Sequence, residues 1–257
     1  MPAAFQLENV TLRFGSLAAV DNVSLSIEPG EQVAFIGPSG SGKTTLIRLL
    51  NTMRRQDEGS LSVFGENVSE FSDRRLRELR SLVATIPQHL GLVLNLTSLQ
   101  NVILGKGGSR GTLRSIRDLI FPAHDDQLAV HEILDRVGIE EKLFERISNL
   151  SGGQQQRVAI ARALFQEPKA LLADEPVSSV DPARARDTVK LLTELSKERG
   201  FTLGVSLHHL ELAREFFPRL VGMRNGKVVF DGAPESLSEE DLEALYELSD
   251  EEMMEDA

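Results

Sequence analysis

Residues 32–50 read QVAFIGPSGSGKTTLIRLL. The first five form an apolar run of strand length, the next nine bend through three glycines, and the last carry Leu46, Ile47, Leu49 and Leu50 at helical spacing. That order predicts a buried strand, a tight turn and a helix, the unit of an α/β phosphate-binding fold. Within the turn, GPSGSGKTT matches the phosphate-loop pattern in full at Gly37, Gly42, Lys43 and Thr44. Glycine lets the backbone curl until its N–H groups converge on phosphate oxygens, and the helix beginning near Lys43 aims its positive end at the same anion. The candidate ATP contacts are therefore Gly37, Pro38, Ser39, Gly40, Ser41, Gly42, Lys43, Thr44 and Thr45. Lys43 is placed to reach the β- and γ-phosphates, and the Thr44 hydroxyl to ligate Mg²⁺.

Upstream, FQLENVTLRFGSLAAVDNVSLSIEPG alternates apolar and polar residues at period two and turns at Pro29-Gly30, which predicts antiparallel strands. Downstream, further buried strands fit SLVATI (81–86), KALLAD (169–174) and TLGVSL (202–207), with helical periodicity between them. Such alternation argues for a mostly parallel sheet covered by helices. Between Pro87 and Leu150 the pattern is helical, which predicts a helical subdomain, about residues 89–165, inserted in the sheet. Its part from Gly105 to Asp126 reads as a glycine-rich loop followed by an amphipathic helix. Asn225-Gly226, between two apolar runs, predicts a β-hairpin. Ser238 to Asp241 opens a final helix with Leu242, Leu245 and Leu248 on one face. The fold class is thus α/β: a phosphate-loop NTPase core, an antiparallel β subdomain and an inserted helical subdomain. Residues 1–248 form one cassette, and 249–257 an acidic, disordered tail.

Composition narrows the function. With 257 residues and 41% apolar side chains the chain can bury one sizeable core. No cysteine is present, which excludes disulfides and thiolate metal sites. No stretch approaches the ~20 apolar residues needed to span a bilayer, and no secretory leader is visible. The net charge of −11 is concentrated in the ten acids between Glu239 and Asp256. Without them the body is near neutral, which predicts neither a nucleic-acid partner nor direct binding to an anionic membrane.

A phosphate loop needs a carboxylate beside Mg²⁺ and a base for water, and ALLADEP (170–176) supplies both at the end of a buried strand. Asp174 is the metal partner, directly or through water. Glu175 is the candidate general base, a carboxylate beside the γ-phosphate that can polarise the attacking water. The residues so far predict an Mg²⁺-dependent ATPase.

A second glycine-rich helix start, NLSGGQQQRVAIARALF (149–165), lacks any lysine. Its LSGGQ resembles the defining motif of the ABC (ATP-binding cassette) ATPases, and other elements of that family follow in order along the whole chain. Phe14 stands where the family places an adenine-stacking aromatic. Gln88, in TIPQHLG, is similar to the Q-loop glutamine that touches Mg²⁺, and Asp181, in SSVDP, to the D-loop aspartate. His208, in SLHHLELA, is similar to the switch histidine that grips the γ-phosphate, although a shift of one residue would give that role to His209. The resemblance implies catalytic roles for Glu175, His208 and Lys43, and metal contacts from Thr44, Gln88 and Asp174. It also implies a head-to-tail homodimer in which Ser151, Gly152, Gly153, Gln154 and Asp181 of one chain meet ATP held by the other.

Only 63 positions separate Gln88 from Ser151, without heptads, which is unlike the coiled-coil members of the family. One cassette without a membrane segment resembles the ATPase subunit of a bacterial importer. Such a subunit sits on the cytoplasmic face of the inner membrane, held by two transmembrane permease subunits and served by a periplasmic or lipoprotein solute-binding protein. ADEPVSSVDP, LHHLELAREFFPRLVGMRNGKVVFDG and LSEEDLEALYE are similar to the phosphonate-importer ATPase subunits, which implies uptake of phosphonate or a related phosphorus oxyanion. His209, where those subunits carry glutamine, and the acidic tail depart from them. The cassette ATPase of another importer, an exporter, a lipoprotein-release component and a regulatory ATP-dependent dimer stay open as alternatives.

Overall fold

The structure is a computed structural model and describes residues 2–110, 112–177 and 181–246. Leu248 and the acidic tail lie outside the described residues, as do Ser178, Ser179 and Val180 of SSVDP.

Strands β1 (Phe5–Phe14) and β2 (Leu17–Ile27) form the predicted antiparallel pair. Strand β3 (Gln32–Ile36) runs into the phosphate loop and helix α1 (Lys43–Leu50). Next come β4 (Glu58–Val63), β5 (Glu66–Asn67), α2 (Asp73–Arg80) and β6 (Val83–Ile86). The helical stretch holds α3 (Ser98–Ile103), α4 (Gly107–Arg110), α5 (Thr112–Ile120), α6 (His124–Arg136) and α7 (Gly152–Phe165). The chain then returns to the sheet with β7 (Ala170–Ala173), α8 (Pro182–Arg199), β8 (Thr202–Leu207), α9 (Leu210–Phe216), β9 (Arg219–Arg224), β10 (Lys227–Gly232) and α10 (Glu239–Tyr246).

Two sheets result. One is antiparallel in the order β2-β1-β4-β5, the other runs β10-β9-β3-β8-β7-β6. In the second sheet β9, β3, β8, β7 and β6 are parallel, and β10 joins antiparallel to β9 through the Asn225-Gly226 turn. Both turn residues have positive φ, 48° and 77°, as a two-residue hairpin requires.

Strand β3 shows why the two sheets make one body. All five of its residues are buried, and alternate side chains serve different cores. Val33 and Phe35 join α1 and the antiparallel sheet, whereas Ala34 and Ile36 join the core shared with α3, α6, α7 and α8. An uninterrupted apolar strand is what a position covered on both faces demands.

The Gly105–Asp126 segment differs from the expectation of a loop followed by a helix. A 3₁₀ turn at Leu104–Lys106 leads directly into α4 and then α5. The reason is tertiary. The Lys106 ammonium lies 4.5 Å from the Phe165 ring and 2.6 Å from the Glu167 carboxylate, which pins the glycine-rich turn to the end of α7. Packing overrides the low helix propensity of glycine here. In the last helix Leu245 is fully buried and Leu242 packs against the same core. Leu245 covers Gly222, which pairs with Ile36 at the end of β3.

Candidate active site

Parallel strands deliver their C-terminal ends to one edge of the sheet, where open α/β folds build their sites. Along that edge β3 supplies the phosphate loop, β8 supplies Ser206 and His208, β7 supplies Asp174 and Glu175, and β6 supplies Gln88, in the spatial order of the strands. Residues scattered between positions 37 and 208 thus become neighbours.

The phosphate loop bends because two of its glycines stand where no side chain fits. Gly37 (φ +141°) would put a Cβ 2.1 Å from the Met223 carbonyl oxygen, and Gly42 (φ +105°) one 2.3 Å from that of Ala19. Gly42 is the N-cap of α1 and offers no side-chain cap, so the first amides of the helix are left for a ligand. Lys43 is buried, and its ammonium donates to the carbonyls of Gly37 and Pro38, both at 2.8 Å. Burial pushes this lysine below its ordinary range, opposed by the carboxylates of Glu175 and Asp174. A lysine flanked by two acids and wrapped in backbone is preorganised for an anion.

A cleft of about 390 Å³ opens over the loop, lined by Phe14, Gly40 to Thr45, Glu175 and the Asn225-Gly226 turn among others. Phe14 stands at the end of β1, partly exposed, with the Arg54 guanidinium 5.5 Å from its ring centre. Gly37 is buried, and Pro38 and Ser39 stay off the cleft wall. The Gly226 amide donates to the Ser41 carbonyl at 3.0 Å, which ties the hairpin turn to the loop. From the other side the hydroxyl of Tyr246 meets the Gly37 backbone. Burial pushes that hydroxyl up, and the hydrogen bond from Gly37 opposes the shift.

The acids lie at the floor. Asp174 is buried, and its Oδ1 accepts from the Thr44 hydroxyl at 3.0 Å and from the Ser206 hydroxyl at 2.9 Å. Glu175 adopts φ +48°, rare for a residue with a side chain, and its amide donates to Ser206 Oγ at 2.7 Å. One carboxylate oxygen of Glu175 accepts from Gln88 Nε2 at 3.0 Å, and the other pairs with His208 Nε2. The structure therefore sets His208, not His209, against Glu175; His209 is exposed at the start of α9. Thr44, Asp174 and Gln88 offer hard oxygen donors alone, the set that Mg²⁺ prefers. They are too few for a protein cage, which fits an ion completed by phosphate and water.

Ser151, Gly152, Gly153, Gln154 and Asp181 do not line this cleft. Ser151 is the N-cap of α7, so Gly152 and Gly153 lie within the first turn of the helix. Ser151 Oγ accepts from the Gln154 amide and Gln154 Oε1 from the Ser151 amide at 3.0 Å, a reciprocal capping box. Asp181 caps α8, accepting from the Arg184 amide at 3.1 Å, and the Arg184 side chain is the neighbour of Gly153. Two further side chains of α7 reach back towards the carboxylates. Arg162 donates to the carbonyls of Gly91 and Leu90, just past Gln88, and Gln156 donates to the carbonyl of Pro176, just past Glu175.

Ser206, Gln156 and Arg162 were not singled out by sequence. Ser206 offered only a hydroxyl on a mostly apolar strand, and Gln156 and Arg162 stand on a helix with several other polar residues, patterns that many structural side chains share.

This constellation has relatives. The sequence profile of the ABC transporter family matches residues 20–178. The chain belongs to the ABC transporter family. It is 42% identical over 242 residues to the phosphonates import ATP-binding protein PhnC of Rhizobium johnstonii, covering 94% of this chain and 86% of that one. It is 44% identical to PhnC 3 of Halalkalibacterium halodurans, covering 94% and 93%. Among solved structures it is similar to cbiO1 of Clostridium perfringens, part of the transporter complex cbiONQ, with a TM-score of 0.81 and 26% identity over 94% of this chain and 93% of that one. It is also similar to an ABC cassette solved as a dimer in a post-hydrolysis state with ADP and Pi, with a TM-score of 0.77 and 31% identity over 90% and 98%. Among the described residues of this ABC transporter family member, no helix is long and apolar enough to cross a membrane.

Proposed function

We propose that the chain is the ATP-hydrolysing subunit of an ABC importer, working as a head-to-tail homodimer, and that its cargo is phosphonate or a related phosphorus oxyanion. The observation that carries the hydrolytic reading is the Glu175 carboxylate, bordering the phosphate-loop cleft and gripped by Gln88 and His208 from neighbouring strands. The importer and its cargo rest on likeness to the PhnC relatives.

The loop amides and the Lys43 ammonium hold the β- and γ-phosphates, and Phe14 offers its ring to adenine. Thr44, Asp174 and Gln88 would hold Mg²⁺, which when bound neutralises charge on the phosphates. Glu175 accepts a proton from the attacking water as the bond to the bridging β–γ oxygen breaks. Gln88 and His208 each hold one oxygen of the Glu175 base. A γ-phosphate that draws His208 away would free it, so substrate arrival itself arms the site. The second helix start, Ser151 to Gln154, with Asp181 beside it, meets the partner's nucleotide, so that neither chain alone completes a site. The dimer docks through two permease subunits on the cytoplasmic face of the bacterial inner membrane, and a periplasmic or lipoprotein solute-binding protein delivers the cargo.

Glu175→Gln keeps the shape and removes the base. It should retain ATP affinity within about threefold, lower hydrolysis by about 100-fold or more, and trap a nucleotide-bound dimer on gel filtration. Hydrolysis at the wild-type rate would sink the mechanism. For the cargo, a strain lacking this chain should fail to grow on a phosphonate as sole phosphorus source while growing on phosphate; equal growth on both would remove the assignment.

A further inference from the structure

Strand β8 is buried at every position, and Ser206, next to its end, has no solvent exposure. A hydroxyl so enclosed must find partners within the protein. Ser206 finds two, and both belong to the carboxylate pair on the adjacent strand. It donates to Asp174 Oδ1 at 2.9 Å and accepts from the Glu175 amide at 2.7 Å.

The two bonds do different things. Asp174 Oδ1 is also met by the Thr44 hydroxyl, but that group is called upon when nucleotide and metal bind. Ser206 is the contact to Asp174 that does not depend on them. Glu175, for its part, holds a left-handed backbone at φ +48°, which persists only where its surroundings enforce it. Its amide is fixed by Ser206 while its side chain is turned towards Gln88 and His208. A single hydroxyl thus grips one acid by its side chain and the next by its backbone.

We propose that Ser206 is a positioning residue for hydrolysis, setting the angle between the Asp174 carboxylate and the Glu175 base. The inference rests on the ATPase reading above. Because Ser206 does not itself line the cleft over the phosphate loop, its loss should spare nucleotide capture and harm turnover.

Steady-state ATP hydrolysis by Ser206→Ala, Ser206→Cys and Ser206→Thr tests it. The alanine variant should lose about 10- to 100-fold in kcat with KM for ATP within about threefold of wild type. Ser206→Thr, which keeps the hydroxyl, should recover kcat to within about threefold. Ser206→Cys, which replaces the hydroxyl by a larger group that is only a weak donor, should lose about tenfold. A binding readout accompanies turnover: calorimetric ADP affinity in EDTA should match wild type in all three, while the gain in affinity on adding Mg²⁺ should shrink in the alanine variant. Wild-type kcat in the alanine or cysteine variant, or a threonine variant no better than alanine, overturns the proposal. A wild-type protein with no ATP hydrolysis would instead refute the reading on which it rests.

Discussion

Helices α1 and α7 both have glycine at their starts and could each receive an anion, yet they are built in opposite ways. Helix α1 begins at a left-handed Gly42 with no side-chain cap, over a buried lysine. Helix α7 begins at Ser151 on the surface, with its Ser151 and Gln154 amides taken by the capping box and no cation in the motif. An uncapped start between two cores is held open by its surroundings, whereas a capped start on the surface is stable by itself and free to meet something else. On the proposed head-to-tail dimer, the difference separates a site that grips a ligand alone from one that completes a partner's site.

The largest expected effects come from damaging each start in turn. Lys43→Ala should weaken ATP binding by the isolated chain by about 100-fold or more, since the anion loses its buried counter-charge. Gly153→Asp, which adds a negative charge at the other start, should leave that binding within about threefold and lower hydrolysis by about 100-fold through lost dimer closure. Equilibrium binding and turnover measured side by side decide the matter. If Gly153→Asp also abolished binding, both starts would serve one chain and the contrast would collapse.

Stability should show a smaller asymmetry. An alanine Cβ at Gly42 meets the Ala19 carbonyl at 2.3 Å and suffers a positive φ, whereas at Gly152 it meets nothing within 4 Å. Thermal unfolding should report a loss of about 2 kcal/mol or more for Gly42→Ala. Gly152→Ala should be neutral or stabilising by up to ~1 kcal/mol, because alanine is the better helix former. The cap too has a small effect: Ser151→Ala should cost about 1 kcal/mol in urea unfolding, a loss for which α1 has no counterpart.

Local patterns made much of this readable from sequence. The five-residue run of β3, the glycine-rich turn and the helix after it needed no knowledge of distant residues, and neither did the Asn225-Gly226 hairpin. Strand β4 was not: EGSLSV carries only Leu61 and Val63 as apolar anchors, and its place beside β1 depends on long-range pairing, Phe5 with Val63. The stretch from Gly105 was misread because its order comes from Phe165 and Glu167, which propensity cannot see. In the candidate site Asp174 and Glu175 stood out as acids ending an apolar strand. The choice between His208 and His209 needed the position of Glu175. Ser206 was invisible for a similar reason, since its meaning lies wholly in the two residues across the strand pair.

The nearness of Tyr246 to the Gly37 backbone has a practical consequence. The chain contains no tryptophan and a single tyrosine, so emission excited in the tyrosine band originates at one phenol, and that phenol lies near the first glycine of the phosphate loop. Nature has in effect labelled the loop. Inorganic tripolyphosphate, which does not absorb where tyrosine is excited, can be titrated against this emission without a dye, a mutation or a coupled enzyme.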